Sequence, residues 1–332
     1  MGTKLLEVKD LHTHFFTQGR VIRAVDGVSW DVQAGETLAL VGESGSGKSV
    51  TALSVLRLIP WPPGKIVRGE VLYQGQDLLK LAPEPMRRVR GKEIAMVFQE
   101  PMTSLNPVLT IGRQLTETLE AHHDFTNSAL TEKAVEAMTW VGIPDPGRRL
   151  GQYPHQFSGG MRQRVMIAMA LICSPRLILA DEPTTALDVT IQAQILALMK
   201  SLSARTGAAM VLITHNLGIV ARYADRVHVM YGGRVVEKGR SSDIYVRPRH
   251  PYTIGLLKSV PRLDEAEHKK LVPIDGQPPD LGAVYPGCKF ASRCRYAEPR
   301  CLEVDPPLVE VGPGQWSACI KADALPSEAK GF

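Results

Sequence analysis

Thr37-Leu-Ala-Leu-Val-Gly42-Glu-Ser-Gly-Ser-Gly-Lys48-Ser49, followed by apolar residues at helical spacing as far as Ile59, is the stretch on which the fold turns. Its first five residues form a short apolar run ending at glycine, which reads as a buried strand. The helix expected over Ser49 to Ile59 is stopped by Pro60, Pro62, Pro63 and Gly64. Between them, Gly42, Ser44, Gly45, Ser46, Gly47, Lys48 and Ser49 have the spacing of a phosphate-binding loop. The glycines let the backbone curl until successive N–H groups point inward at phosphate oxygens. The helix that follows adds the positive end of its dipole. Lys48 supplies a point charge for the terminal phosphates, and the Ser49 hydroxyl can ligate Mg²⁺. A Gly/Ser turn alone would imitate this pattern. A strand before it and a helix after it are the context the mechanism requires.

Working outward, Leu177-Ile-Leu-Ala-Asp181-Glu182 is a second buried strand, and it ends on two carboxylates. Asp181 suits Mg²⁺, and Glu182 suits the polarisation of an attacking water as general base. A solvated acidic turn would account for one carboxylate, but it fits poorly in a chain that also carries a phosphate loop. Ala209 to Thr214 is a third buried strand. From Leu5 to about Arg240 strand-like and helix-like segments alternate, the pattern of an α/β domain with a largely parallel sheet. The mostly helical pattern between Gln99 and Ala170 predicts a helical subdomain, about residues 100–172, inserted into that core.

Composition sets the outer limits. The chain has 332 residues, 44% hydrophobic and 22% charged, enough for a large domain with an appendage. No apolar run approaches the ~20 residues that span a bilayer. Met-Gly-Thr-Lys-Leu-Leu-Glu puts charge where a secretory segment should be apolar, so no signal peptide is expected and the chain should stay in the cytoplasm. The net charge of +5 invites a nucleic-acid reading, but Lys and Arg are scattered and no aromatic-interleaved basic stripe is present. No nucleic-acid partner is expected.

After Gly239 the character changes. Half of the 24 prolines lie from Pro248 onward, which excludes long regular elements there. A boundary near Arg240 is therefore expected, dividing residues 1–240 from a loop-rich module at 241–332. The module holds Cys288, Cys294, Cys301 and Cys319, whose gaps are too long for the usual close pairs of a zinc site. The reducing cytosol keeps thiols from pairing as disulfides. Four thiolates can hold an iron–sulfur cluster, and so small a module can hardly bury enough apolar surface unaided. On chemistry alone a metal site leads over free thiols. Cys173, in an apolar helix, reads as a small core residue.

Phe157-Ser158-Gly159-Gly160-Met-Arg-Gln-Arg resembles the signature sequence of the ATP-binding cassette family, with Phe157 where leucine is usual. Ser158 is a good N-cap, and the two glycines leave the first helical turn bare, so that its N–H groups face outward to an anion. The resemblance implies that this anion is the γ-phosphate of an ATP held by a second subunit. It also implies that Gln99 is the glutamine that ligates Mg²⁺ or positions water, and that Thr185-Ala-Leu-Asp188 crosses the dimer interface. By the same resemblance His215 contacts γ-phosphate, Asn216 stands where Asp is commoner, and Phe15 stacks on adenine, with Phe16 as its neighbour. ATP and Mg²⁺ are the implied cofactors, and the implied fold is the P-loop NTPase cassette.

Gln99-Glu-Pro-Met-Thr-Ser-Leu-Asn-Pro107, Gly151-Gln-Tyr-Pro-His-Gln-Phe157 and Arg249-His-Pro-Tyr-Thr253 resemble the ATP-binding subunits of oligopeptide and dipeptide importers. That resemblance implies an ATPase motor at the cytoplasmic face of the membrane. Its partners would be a second, different ATPase subunit, two integral permease subunits and, indirectly, a solute-binding protein. It also implies a 4Fe–4S cluster on Cys288, Cys294, Cys301 and Cys319, with zinc as the alternative. Importers of nickel or another small solute share the subfamily. A soluble cassette ATPase acting on nucleic acid or ribosomes is the rival from another class, although such proteins usually carry long coiled coils or two cassettes.

Overall fold

A computed structural model describes residues 4–100, 104–184, 187–259 and 273–325. The strands among them are β1 (Lys4–Thr17), β2 (Arg20–Gln33), β3 (Thr37–Val41), β4 (Gly64–Tyr73), β5 (Gln76–Asp77) and β6 (Ile94–Val97). They continue with β7 (Leu177–Asp181), β8 (Ala209–Thr214), β9 (Arg226–Tyr231), β10 (Arg234–Arg240), β11 (Val309–Gly312) and β12 (Gln315–Ser317). The helices are α1 (Lys48–Val55), α2 (Pro83–Val89), α3 (Ile111–Glu120), α4 (Asn127–Trp140), α5 (Pro146–Arg149) and α6 (Gly159–Leu171). They end with α7 (Val189–Thr206), α8 (Leu217–Tyr223), α9 (Ser241–Val246), α10 (Pro251–Lys258) and α11 (Pro299–Glu303). Among these residues no helix is long and apolar enough to cross a membrane.

The chain forms two compact units. The first comprises Leu6–Val32, Thr37–Leu79 and the described residues from Ile213 onward. Its N-terminal hairpin belongs to a sheet ordered β2-β1-β4-β5, with β1 and β4 antiparallel. A second run of strands is ordered β11-β12-β10-β9-β3. Within it β3 and β9 are parallel, while β9, β10, β12 and β11 follow one another antiparallel. Every residue of β3 is buried, as expected of a strand covered on both faces.

One expectation is revised here. The helix that opens at the phosphate loop ends at Val55 rather than Ile59. Leu58 N–H bonds back to the Leu53 carbonyl at 2.8 Å and Arg57 N–H to Ser54 at 3.0 Å, with Arg57 at φ +52°. This is a Schellman stop, made by an arginine three residues before the first proline. The tail and the phosphate loop share one compact unit. One apolar cluster joins Ala39 and Val41 of β3 to Tyr231, Tyr252 and Phe290, with Cys288 and Cys294 packed against it. β12 extends the sheet by pairing with β10, so that Glu237 faces Ser317.

The second unit is built chiefly of Gln33–Glu36 and Lys80–Leu212. Its strands run in the order β8-β7-β6, with β6 and β7 parallel. The expected helical stretch is present as α3, α4, α5 and α6. Thr110 and Thr126 cap α3 and α4 by accepting from Arg113 and Ala129 N–H.

Candidate functional site

The phosphate loop leaves β3 and closes on α1 through backbone that only glycine permits at two points. A Cβ on Gly42 (φ +156°) would lie 2.2 Å from the Met230 carbonyl oxygen, and one on Gly47 (φ +100°) 2.3 Å from that of Ala24. Gly47 is the N-cap of α1 and brings no side chain to it, which leaves the helix N–H groups for an anion. Lys48 is buried, and its Nζ donates to the carbonyls of Gly42 at 2.8 Å and Glu43 at 2.9 Å. Ser46 is buried, Ser44 and Gly45 are exposed, and Ser49 is half-buried. The loop therefore arrives already curled around its own lysine.

His215 and Phe15 lie in the same unit. His215 is exposed, one residue beyond β8, where Asn216 N–H donates to Thr214 Oγ1 at 3.0 Å. Asn216 caps α8 by position but makes no side-chain capping bond. Phe15 is half-buried and pairs across the sheet with Gly64, its ring occupying the place where a side chain there would stand. Phe16 is the exposed neighbour and meets Trp61 edge-on at 6.3 Å.

In the second unit β7 is wholly buried and ends at Asp181. Glu182 follows in the left-handed region at φ +43°, which is uncommon for a residue with a Cβ. Gln99 Nε2 donates to Glu182 Oε2 at 3.2 Å, so the structure brings these two expected residues together. Gln163 on α6, a residue sequence reasoning passed over, is buried and donates to the Pro183 carbonyl just behind Glu182.

The helix of the signature sequence has the predicted form. Ser158 Oγ accepts from Met161 N–H at 3.4 Å, and Ser158 and Gly159 are exposed. A Cβ on Gly160 would come within 3.3 Å of Ile191 on α7, so the glycine keeps that face narrow. Asp188 caps α7 by accepting from Ile191 N–H at 2.9 Å. Gln192 Nε2 donates to the carbonyls of Thr184 and Leu187, each at 3.1 Å. Thr185 and Ala186 lie outside the described residues.

The four tail cysteines line a single cavity with His250, Phe290 and Tyr296. Burial raises the thiols of Cys288 and Cys294 and pushes Cys319 up to about 11, opposed in each case by a backbone N–H two residues on. Those N–H groups, from Phe290, Tyr296 and Lys321, favour thiolate at each sulfur. Such a donor set fits a metal centre, which deprotonates thiols that burial otherwise keeps neutral. Among the described residues the trio of potential ligand atoms within 4.8 Å of one another is His12, His14 and Asp26; the four thiols are not so close. The His–Asp trio is already engaged. Burial raises the Asp26 carboxyl, but Lys289 at 3.1 Å and Arg234 at 3.0 Å outweigh it and hold it below its usual value.

Residues 25–185 match the family model described as "ABC transporter", and residues 236–301 match "Oligopeptide/dipeptide transporter, C-terminal region". The oligopeptide transport ATP-binding protein OppD of Bacillus subtilis is 53% identical over 309 residues, covering 93% of this chain and 86% of OppD. The dipeptide transport ATP-binding protein DppD of the same organism is 55% identical over 291 residues, covering 88% and 87%. Among solved structures, the ATP-binding cassette MJ0796, a dimer in a post-hydrolysis state bound to ADP and Pi, superposes with a TM-score of 0.64 at 27% identity. That match covers 71% of this chain and 98% of the cassette.

Proposed function

We propose, from the premise that this chain belongs to the ABC transporter family of ATP-binding subunits, that it is the ATP-hydrolysing motor of an importer for oligopeptides or dipeptides. The observation that carries this reading is the curled phosphate loop around Lys48 in a chain whose tail matches the oligopeptide/dipeptide transporter region. Two relatives above 50% identity that are named for oligopeptide and dipeptide transport support the solute class over nickel.

Each expected residue takes a role on this reading. Lys48 and the N–H groups of Gly42 to Ser49 hold the phosphates of ATP, with Phe15 under adenine. Ser49, Gln99 and Asp181 hold Mg²⁺, Glu182 activates water, and His215 senses the γ-phosphate. Ser158, Gly159 and Gly160 close on the ATP of a second, non-identical subunit, and Asp188 belongs to the same interface. ATP binding favours the closed pair and hydrolysis releases it, a two-state element biased by its ligand. Cys288, Cys294, Cys301 and Cys319 hold a 4Fe–4S cluster, which stiffens a module rich in proline.

The chain sits at the cytoplasmic face of the membrane, docked to two integral permease subunits that a solute-binding protein serves. Mass spectrometry of the intact complex extracted from membranes tests this directly. The expected assembly contains two permease subunits and a second ATPase chain. Copurifying RNA or ribosomes, with no membrane subunits, would instead support the soluble cassette ATPase.

A further inference from the structure

Glu43 stands at the base of the phosphate loop, and distant parts of the chain hold both its N–H and its carboxylate. Its N–H donates to the Tyr252 hydroxyl at 2.7 Å, and its carbonyl accepts from Lys48 Nζ at 2.9 Å. Its carboxylate takes a two-pronged pair from Arg293: Nη1 to Oε2 at 2.7 Å and Nη2 to Oε1 at 3.0 Å. Arg293 lies in the tail, 250 residues away in sequence and immediately before Cys294.

The arginine has no slack. Its Nε donates to the Asp275 carbonyl at 2.9 Å and its Nη2 also to that of Ile274 at 3.2 Å. The guanidinium lies over the rings of Tyr231 and Phe290, 5.8 and 5.9 Å from their centres. Its side chain is only 3% exposed, against 27% for Glu43. Exposed ion pairs contribute little because solvent screens them and both side chains must be ordered. A buried, bidentate and ring-stacked arginine keeps its geometry, and lysine cannot reproduce the fork.

The position of this clamp gives it a consequence. The loop's curl depends on a backbone conformation that only glycine permits at Gly42, the residue directly before Glu43. If the stem at Glu43 were loose, ordering it would be charged to nucleotide binding. We infer that Arg293 is a positioning residue for the nucleotide, acting through Glu43 to hold the stem of the phosphate loop in its binding shape, so that the cysteine module supports the ATP site. The inference rests on Gly42 to Ser49 being the ATP-binding loop.

A double-mutant cycle on the full-length chain separates this from a role in knitting the tail alone. MgATP affinity is measured with a fluorescent ATP analogue for Arg293→Met, Glu43→Gln and the double variant. Each single change is expected to weaken binding roughly ten-fold. In the assembled transporter KM for ATP should rise by a similar factor while kcat changes little. The double variant should bind no worse than the weaker single, because both act through one contact, and Arg293→Lys should recover part of the loss. Lys48→Ala reports on the underlying reading: wild-type affinity there would sink the loop assignment itself. With Lys48→Ala defective, unchanged affinity in Arg293→Met overturns the inference, as do losses that multiply in the double variant. Should Arg293→Met fail to fold, Arg293→Lys with Glu43→Gln runs the same cycle.

Discussion

The phosphate loop gathers its binding groups from eight consecutive residues, Gly42 to Ser49, whereas the cysteine module collects four sulfurs from a stretch running from Cys288 to Cys319. The first is shaped by backbone: glycines at positive φ, and a lysine held by the loop's own carbonyls. The second is shaped by packing, with its cavity closed by Phe290 and His250 and its segments joined by bonds such as Cys288 N–H to the Cys301 carbonyl at 2.8 Å. Local conformation suffices for an anion cradle because successive N–H groups already converge. The four cysteines are far apart in sequence, so packing has to bring their segments around one cavity. The two regions nevertheless share one unit, and Glu43 and Arg293 are where they meet.

Variants on the hydrolytic side should have the largest effects. Glu182→Gln removes the base and leaves the phosphate loop untouched. Turnover is expected to fall by about 10²–10⁴-fold with MgATP binding retained, as measured by steady-state hydrolysis beside nucleotide titration. Near-normal turnover would remove Glu182 from the role of base. Lys48→Ala should act on binding itself and weaken it by roughly 10–100-fold, since a charge-assisted contact to phosphate is lost.

The tail should respond on a different axis. Chain purified without oxygen should carry about four iron atoms, and Cys301→Ser should lose most of that iron along with thermal stability. Cys173→Ser should keep the iron, because that thiol lies in the other unit, where its Sγ contacts the Thr118 carbonyl at 3.7 Å. If Arg293 braces the loop, Cys301→Ser should also weaken ATP binding, by less than the Arg293 variants do. One zinc per chain and no iron would replace the cluster by a single-ion site.

The smallest predicted effect concerns the strand that ties the tail to the sheet. Glu237 on β10 is fully buried, and burial pushes its carboxyl up from 4.5 to about 7. Its Oε1 accepts from Arg249 N–H at 2.6 Å and from Gln315 Nε2 at 3.0 Å. An acid whose folded value is raised binds more protons folded than unfolded, so stability falls as pH rises from 4.5 toward 7. Glu237→Gln should remove that slope and melt higher by a few degrees above neutral pH. His250, buried and held neutral with its value down to about 3, tilts the raw profile the other way. The difference between the two chains is therefore the quantity to follow by thermal melts, and parallel profiles would rule out Glu237 as a titrating group.

The catalytic vocabulary was legible in the chain because each motif is contiguous and chemically unusual. Gly42 to Ser49, Asp181-Glu182 and Ser158-Gly-Gly announce their geometry through glycine freedom, strand burial and helix capping, all set by near neighbours. Arg293, Glu43 and Gln163 carried no such mark. An arginine before a cysteine and a glutamine within a helix are ordinary until the fold places them on a phosphate loop and behind Glu182.

The sequence by itself determined the nucleotide-binding class and the strand-loop-helix that makes the phosphate cradle, because these rest on φ/ψ preferences and spacings of a few residues. The tertiary structure alone decided that β12 joins the sheet beside β10 and that the cysteine module shares a compact unit with the phosphate loop. Those outcomes depend on which apolar surfaces and buried charges find each other across some 250 residues of chain, as Arg293 finds Glu43. A buried arginine must have its carboxylate, and no local pattern says where along the chain that carboxylate stands.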